Sequence, residues 1–238
     1  MLKRFLATVF LGAFTLQQSF ANVIMATRVV YPANQKSVVF NLTASGETPS
    51  LVQVWIDSGD INSNPATTKS PFVITPPISR VDPGKGQTLR ITYTGQDLPT
   101  DRESIFYLNI LDIPPKPTGE KAPANYLQIA IKSRIKLFYR PALDISLYEA
   151  FAKVEWSVSK EGKKNYLVVT NPTPYYITYE QIEIVAGNST VKVPDADMVA
   201  PFASVRYEIS RAVNANAEVR WVTIDDNGAR PQGSSKLK

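Results

Sequence analysis

An all-β chain folded as two sandwiches is what this sequence predicts, on three observations. Eighteen prolines and 11 glycines punctuate 238 residues in which no apolar period of 3.6 is sustained, so helices of ordinary length are disfavoured. Short runs alternating apolar and polar residues recur between turn residues, as half-buried strands do. These runs form two groups on either side of Pro141, and the chain is long enough to give each group its own core.

Residues 1–21 read as a cleaved export signal. Lys3 and Arg4 precede a mostly apolar stretch from Phe5 to Leu16, and Ser19-Phe20-Ala21 supplies small residues for cleavage. The apolar stretch stops at Gln17, short of the ~20 residues that span a bilayer. Removing residues 1–21 takes two cations and no acid, which lowers the formal charge from +5 to +3. So weak a basic bias gives no reason to expect a nucleic-acid partner. Residues 22–141 and 142–238 are then the two expected domains.

In the first, residues 37–43 alternate Val38, Phe40 and Leu42, and residues 51–57 carry Val52, Val54 and Ile56 on one parity and Trp55 on the other. Asp82-Pro83-Gly84-Lys85-Gly86 is a turn before Leu89, Ile91 and Tyr93. Lys85 sits in a glycine-flanked loop but lacks the spacing of a phosphate-binding loop ahead of a helix. Residues 104–113 are almost continuously apolar, as in a strand buried on both faces. The loop 116–125 then leads to the longest alternation, a strand predicted over 126–140. One parity holds Leu127, Ile129, Ile131, Ile135, Leu137 and Tyr139; the other holds Gln128, Lys132, Arg134, Lys136 and Arg140. Strands run about 3 to 10 residues, so part of this one should extend past its own core and offer an apolar ladder elsewhere. In the second group, strands are predicted at 153–158, 166–171, 175–185, 190–193, 203–209 and 218–224, with turns at Glu161-Gly162-Lys163-Lys164 and Asp225-Asp226-Asn227-Gly228.

The absence of cysteine and histidine from the sequence removes disulfides, thiolate nucleophiles, the Ser-His-Asp triad and the commonest transition-metal ligands. No cofactor or metal site is expected, and no enzyme. Asp57, Asp60, Asp82, Asp101, Glu103, Asp225 and Asp226 read as turn caps and surface charge. Leu127, Ile129 and Ile131, taken by themselves, would point into their own core. Arg28, expected in the first strand, and Lys136, near the end of the long one, would by themselves be ordinary exposed charges.

The ending Ile135-Lys136-Leu137-Phe138-Tyr139-Arg140-Pro141 closely resembles the domain-closing strand of the PapD-like periplasmic chaperones that assemble bacterial pili. Leu98-Pro99-Thr100-Asp101-Arg102-Glu103-Ser104-Ile105-Phe106-Tyr107, Thr75-Pro76-Pro77 and Asn171-Pro172-Thr173-Pro174-Tyr175-Tyr176 extend the resemblance over both halves. It implies two immunoglobulin-like sandwiches at an angle with a binding cleft between them. It also implies a periplasmic location, pilus subunits as partners and delivery to an outer-membrane usher. In the family, apolar residues at the places of Leu127, Ile129 and Ile131 are lent to a subunit whose own fold lacks a strand, and an arginine and a lysine at the places of Arg28 and Lys136 hold the subunit's terminal carboxylate. Glu103, Arg140 and Asp226 match an inter-domain ion network, with Asp225 as the alternative to Asp226. The short loop before the donor strand and the lack of cysteine resemble the short-loop subgroup, which serves rod-like pili. An exposed apolar edge also invites a second copy to cap it. The rival reading is an exported carbohydrate-binding or adhesive sandwich with Trp55, Trp156 or Trp221 as a sugar platform.

Overall fold

The structure, a computed structural model, describes residues 23–24, 26–44, 46–117, 125–214 and 216–238. The signal predicted over 1–21 and most of the 116–125 loop lie outside them. The first half contributes β1 (Val23–Ile24), β2 (Arg28–Pro32), β3 (Ser37–Thr43), β4 (Ser50–Asp57), β5 (Phe72–Thr75), β6 (Ile78–Val81), β7 (Gly86–Tyr93), β8 (Ser104–Ile113) and β9 (Ile131–Arg140). These make a four-stranded sheet in the order β1-β3-β7-β5 and a five-stranded sheet in the order β2-β9-β8-β4-β6. Alternation puts Phe40, Leu42, Leu89 and Ile91 of one sheet against Val52, Val54, Leu108, Ile110, Ile135 and Leu137 of the other. Each such aliphatic or aromatic side chain contributes about 1.5–3 kcal/mol by leaving water.

The second half opens with α1 (Leu147–Lys153), followed by β10 (Glu155–Glu161), β11 (Lys164–Asn171), β12 (Ile177–Ala186), β13 (Ser189–Lys192), β14 (Met198–Val199), β15 (Ala203–Ile209), β16 (Glu218–Thr223) and β17 (Gln232–Lys236). Sheet β10-β11-β15 packs on β13-β12-β16-β17, with β14 beside β12. The core between them holds Trp156, Leu167, Val169, Ile177, Ile182 and Val219.

Four sequence expectations are corrected. The long strand begins at Ile131, not 126, because β8 supplies pairing partners only as far as Asp112 opposite Ile131. Strand β8 is not buried on both faces along its length: burial is confined to Phe106, Leu108, Asn109 and Ile110, since one face covers the core and the other lies under ion pairs. Arg28 sits in the second strand, because β1 pairs with β3 in the opposite sheet before the chain crosses to β9. Lys153 ends a helix instead of opening a strand. Ser146 and Glu149 form a reciprocal capping box at its start, and Leu147, Ala150 and Phe151 are buried beneath it.

Candidate functional site

Strands β2 and β9 run parallel, with Arg28 directly opposite Lys136. Residues opposite one another share a face, and alternation adds Lys132, Arg134, Phe138 and Arg140 to it while Ile135 and Leu137 point into the core. The structure thus brings together two cations from opposite ends of the first half, and surrounds them with three more.

Three of those cations are tightly held. Arg140 Nε donates to Glu103 Oε1 at 2.6 Å, and its two terminal nitrogens donate to the Asp226 carboxylate at 2.6 and 2.7 Å. Glu103 is 2% exposed; its other oxygen accepts the Tyr176 backbone N–H at 2.8 Å, and its own N–H donates to the Pro174 carbonyl at 2.9 Å. The network therefore ties the first sandwich to the second. Burial pushes the Glu103 carboxyl up in pKa against the pull of Arg140. For Arg140 itself burial works downward, but the two carboxylates outweigh it and hold the guanidinium above its ordinary value.

Asp225 has a different job from Asp226. It is buried, accepts the Tyr148 hydroxyl at 2.7 Å and the Asn227 and Ala229 N–H groups at 2.9 and 2.8 Å, and so shapes the turn. The Tyr148 hydrogen bond leads in holding its pKa below the usual carboxylate value. Gly228 closes this turn at φ 79°. A Cβ there would come within 2.9 Å of the Thr27 hydroxyl, so glycine lets the turn press on the residue before Arg28.

Arg134 is the second held cation. Its guanidinium donates to Asp57 Oδ1 at 2.6 Å and lies 3.6 Å over the Tyr107 ring. Asp57 is 2% exposed, which corrects its reading as surface charge. It also accepts from Asn109 Nδ2 at 2.6 Å, Ser63 Oγ at 3.0 Å and the Gly59 N–H at 2.7 Å. Burial alone would raise its pKa; these donors override burial and lower it. Lys132, the third, donates to the Ile61 carbonyl at 2.8 Å and stands 5.6 Å from the Trp55 ring.

Arg28 and Lys136 differ. The Lys136 ammonium meets Asp197 Oδ1 and Thr178 Oγ1, both at 3.5 Å, beyond the usual range of a good hydrogen bond. Arg28 is 7% exposed, not an ordinary surface charge, and its Nε has no hydrogen-bond partner among the described residues. Burial lowers the pKa of both, and Asp197 offsets this at Lys136, as Asp226 and Asp225 do at Arg28. Arginine stays charged under any such shift.

Just upstream, Leu127 is 84% exposed, and Tyr126, Ile129 and Ile131 are exposed as well. Strand β2 pairs with Lys136 and the residues after it; among the described residues, no strand pairs with 131–135 on that side. An open edge of β9 therefore begins where the cation pair ends.

The comparisons with known proteins cover both halves of the chain. A model of the pili and flagellar-assembly chaperone PapD N-terminal domain matches residues 21–143, and one of the pili assembly chaperone PapD C-terminal domain matches 149–235. The chain belongs to the PapD-like pilus-assembly chaperones. Chaperone protein HifB of Haemophilus influenzae is 46% identical over 220 residues, covering 90% of this chain and 88% of that protein. The probable fimbrial chaperone YadV of Escherichia coli K12 is 41% identical over 221 residues, covering 90% and 89%. The crystal structure of the YadV chaperone matches with a TM-score of 0.77 and 38% identity over 91% of this chain and 99% of that one. The SafB chaperone of Salmonella enterica, solved in complex with SafA pilin, matches with a TM-score of 0.74 and 26% identity over 92% and 97%. Both halves of this PapD-like chaperone are accordingly immunoglobulin-like sandwiches.

The rival sugar platform is not built in this chaperone. Trp55, Trp156 and Trp221 are all buried, with Trp55 donating its indole N–H to Ser63 and Trp221 to Ser235. Several site residues were missed by sequence reasoning: Asp57, Asn109 and Ser63 under Arg134, Thr178 and Asp197 beside Lys136, and Tyr148 on Asp225. Only Tyr148 had a local signal, the Ser146-x-x-Glu149 capping pattern that marks the helix carrying it. The others meet across strands and loops whose register no single segment encodes.

Proposed function

We propose that this chaperone works in the periplasm, exported by the segment 1–21, where it captures pilus subunits by their C-terminal carboxylate and completes their fold with its own strand. The observation that carries the reading is the unequal treatment of the cationic face. Arg134, Arg140 and Lys132 spend their donors on the chaperone's own oxygens at 2.6–2.8 Å, while Arg28 and Lys136 keep donors to spare. A guanidinium and an ammonium set side by side suit one carboxylate, through charge-assisted hydrogen bonds. An anchored carboxylate would set the register of a subunit strand on the open edge of β9. Leu127, Ile129 and Ile131 continue the parity of Ile135 and Leu137, so they would then enter a partner's core in the way Ile135 and Leu137 enter their own.

Three aliphatic side chains contribute about 1.5–3 kcal/mol each before the cost of association, and each charge-assisted hydrogen bond nets about 1.5–3 kcal/mol. The ladder supplies most of the affinity and the cation pair the alignment. No step in this scheme is catalytic. The boundary between the sandwiches falls at Pro141, the chaperone is of the short-loop subgroup, and it delivers its subunits to an outer-membrane usher. Without subunit, a second copy of the chain covers the ladder.

Replacing both Arg28 and Lys136 by alanine tests the anchor. The expected outcome is a folded chaperone that no longer co-purifies with a co-expressed pilus subunit. Undiminished co-purification would overturn the reading.

A further inference from the structure

We propose that Asp197 is a built-in competitor for the anchor, a carboxylate of the chaperone's own second sandwich that occupies the Lys136 ammonium until the subunit's terminal carboxylate displaces it. This rests on the anchor reading above and adds its regulation.

Asp197 lies between β13 and β14, and Lys136 on β9, so their pair spans the two sandwiches. The backbone of Asp197 is fixed: its N–H donates to the Tyr207 hydroxyl at 3.3 Å, and that hydroxyl donates to its carbonyl at 3.2 Å. A tyrosine of β15 thus clamps the residue on both sides of its Cα and aims its side chain across the gap. The side chain itself is free to leave. It is 79% exposed, and it meets Lys136 at 3.5 Å where the neighbouring cations hold their oxygens at 2.6–2.8 Å. An ion pair this long and this wet is weak, which suits a contact that must be exchanged.

Two consequences follow from the charge. In the empty chaperone Asp197 neutralises an ammonium that burial would otherwise leave poorly compensated. Toward an incoming carboxylate it is a like charge that must be pushed aside, which lowers affinity for any carboxylate able to bind by its charge alone. A pilin C-terminus, which also brings an apolar strand for the β9 edge, can bear that loss; a small organic acid cannot.

The test uses a fluorescent peptide of a pilin C-terminal sequence, made as the free acid and as the C-terminal amide, titrated by anisotropy into the whole chaperone. Asp197→Asn should tighten the free acid by about two- to fivefold, the scale of one mostly exposed ion pair, and leave the amide unchanged. Asp197→Ala removes the acceptor altogether and should tighten the free acid even if asparagine still holds the ammonium. Asp195→Asn, two residues away and exposed, neutralises the same charge without removing the Lys136 contact and should have no effect. Unchanged or weaker free-acid binding in both Asp197 variants overturns the proposal, as does an equal gain from Asp195→Asn. If the parent chaperone binds acid and amide equally, the anchor reading itself fails, and the role of Asp197 falls with it.

Discussion

The two halves of β9 share one sequence pattern and meet opposite fates. Residues 136–139 are paired on both sides, by β2 and β8, and Leu137 and Phe138 are completely buried. Residues 131–135 are paired by β8 alone, and the ladder ahead of them, Leu127 and Ile129, touches water. The difference lies in where β2 starts, not in the side chains. A strand with one free edge and an unspent apolar face is unstable against pairing with another chain; in an ordinary domain that is a hazard, and here it adjoins a pair of cations with donors to spare.

That contrast can be broken hardest at the inter-sandwich network. Glu103→Ala removes a buried carboxylate that bonds Arg140 and the Tyr176 N–H, and leaves Arg140 with Asp226 as its remaining acidic partner. We expect a loss of about 3–5 kcal/mol, read as a lower midpoint in urea unfolding. A midpoint equal to the parent's would mean that the two sandwiches are not joined through Glu103.

A matched pair of substitutions compares the halves directly. Leu137→Ala opens a cavity in the first core and should cost about 2–5 kcal/mol. Ile129→Asp, on the same parity but outside the core, should leave the unfolding midpoint within about 0.5 kcal/mol and abolish subunit capture, because a carboxylate would enter an apolar groove unpaired. Circular dichroism and a subunit pull-down on one purified sample separate the cases. An unfolded Ile129→Asp chain would show that the ladder belongs to the chaperone's own core.

The smallest effect is expected at Asp57, which braces Arg134 in the half with the free edge. Its folded pKa lies below the ordinary 3.8, so the unfolded chain takes up the proton first. The stabilisation is complete above that ordinary value and is lost as pH falls through the folded one. Asp57→Asn should cost about 1–3 kcal/mol near neutrality and flatten the acid limb of a stability-against-pH curve. An acid limb identical to the parent's would place the controlling carboxylate elsewhere.

The local patterns determined much of this molecule. Alternation at Val38-Phe40-Leu42, Leu89-Ile91-Tyr93 and Ile135-Leu137-Tyr139 assigned strands and their inner faces, because a strand's period of two is a property of its own backbone. The motif around Lys136 and Arg140 pointed to the family and to Arg28 as their distant companion. Strands β5 and β6 escaped notice because Pro71, Pro76 and Pro77 at their ends read as loop, and the helix α1 was hidden by the apolar residues flanking it.

Other features only the tertiary structure decided. Whether the alternation at 126–130 becomes strand depends on β8, which supplies no partner beyond Asp112. Whether a cation is spent or spare depends on acids far away in the chain: Asp57 for Arg134, Glu103 and Asp226 for Arg140, Asp197 for Lys136. Asp225 and Asp226 are adjacent and chemically identical, yet one holds the turn and the other holds Arg140, because successive side chains leave the backbone in different directions and the fold places a different partner in each. Sequence names the groups able to make such pairs; only packing brings them to within 3 Å or leaves them farther apart.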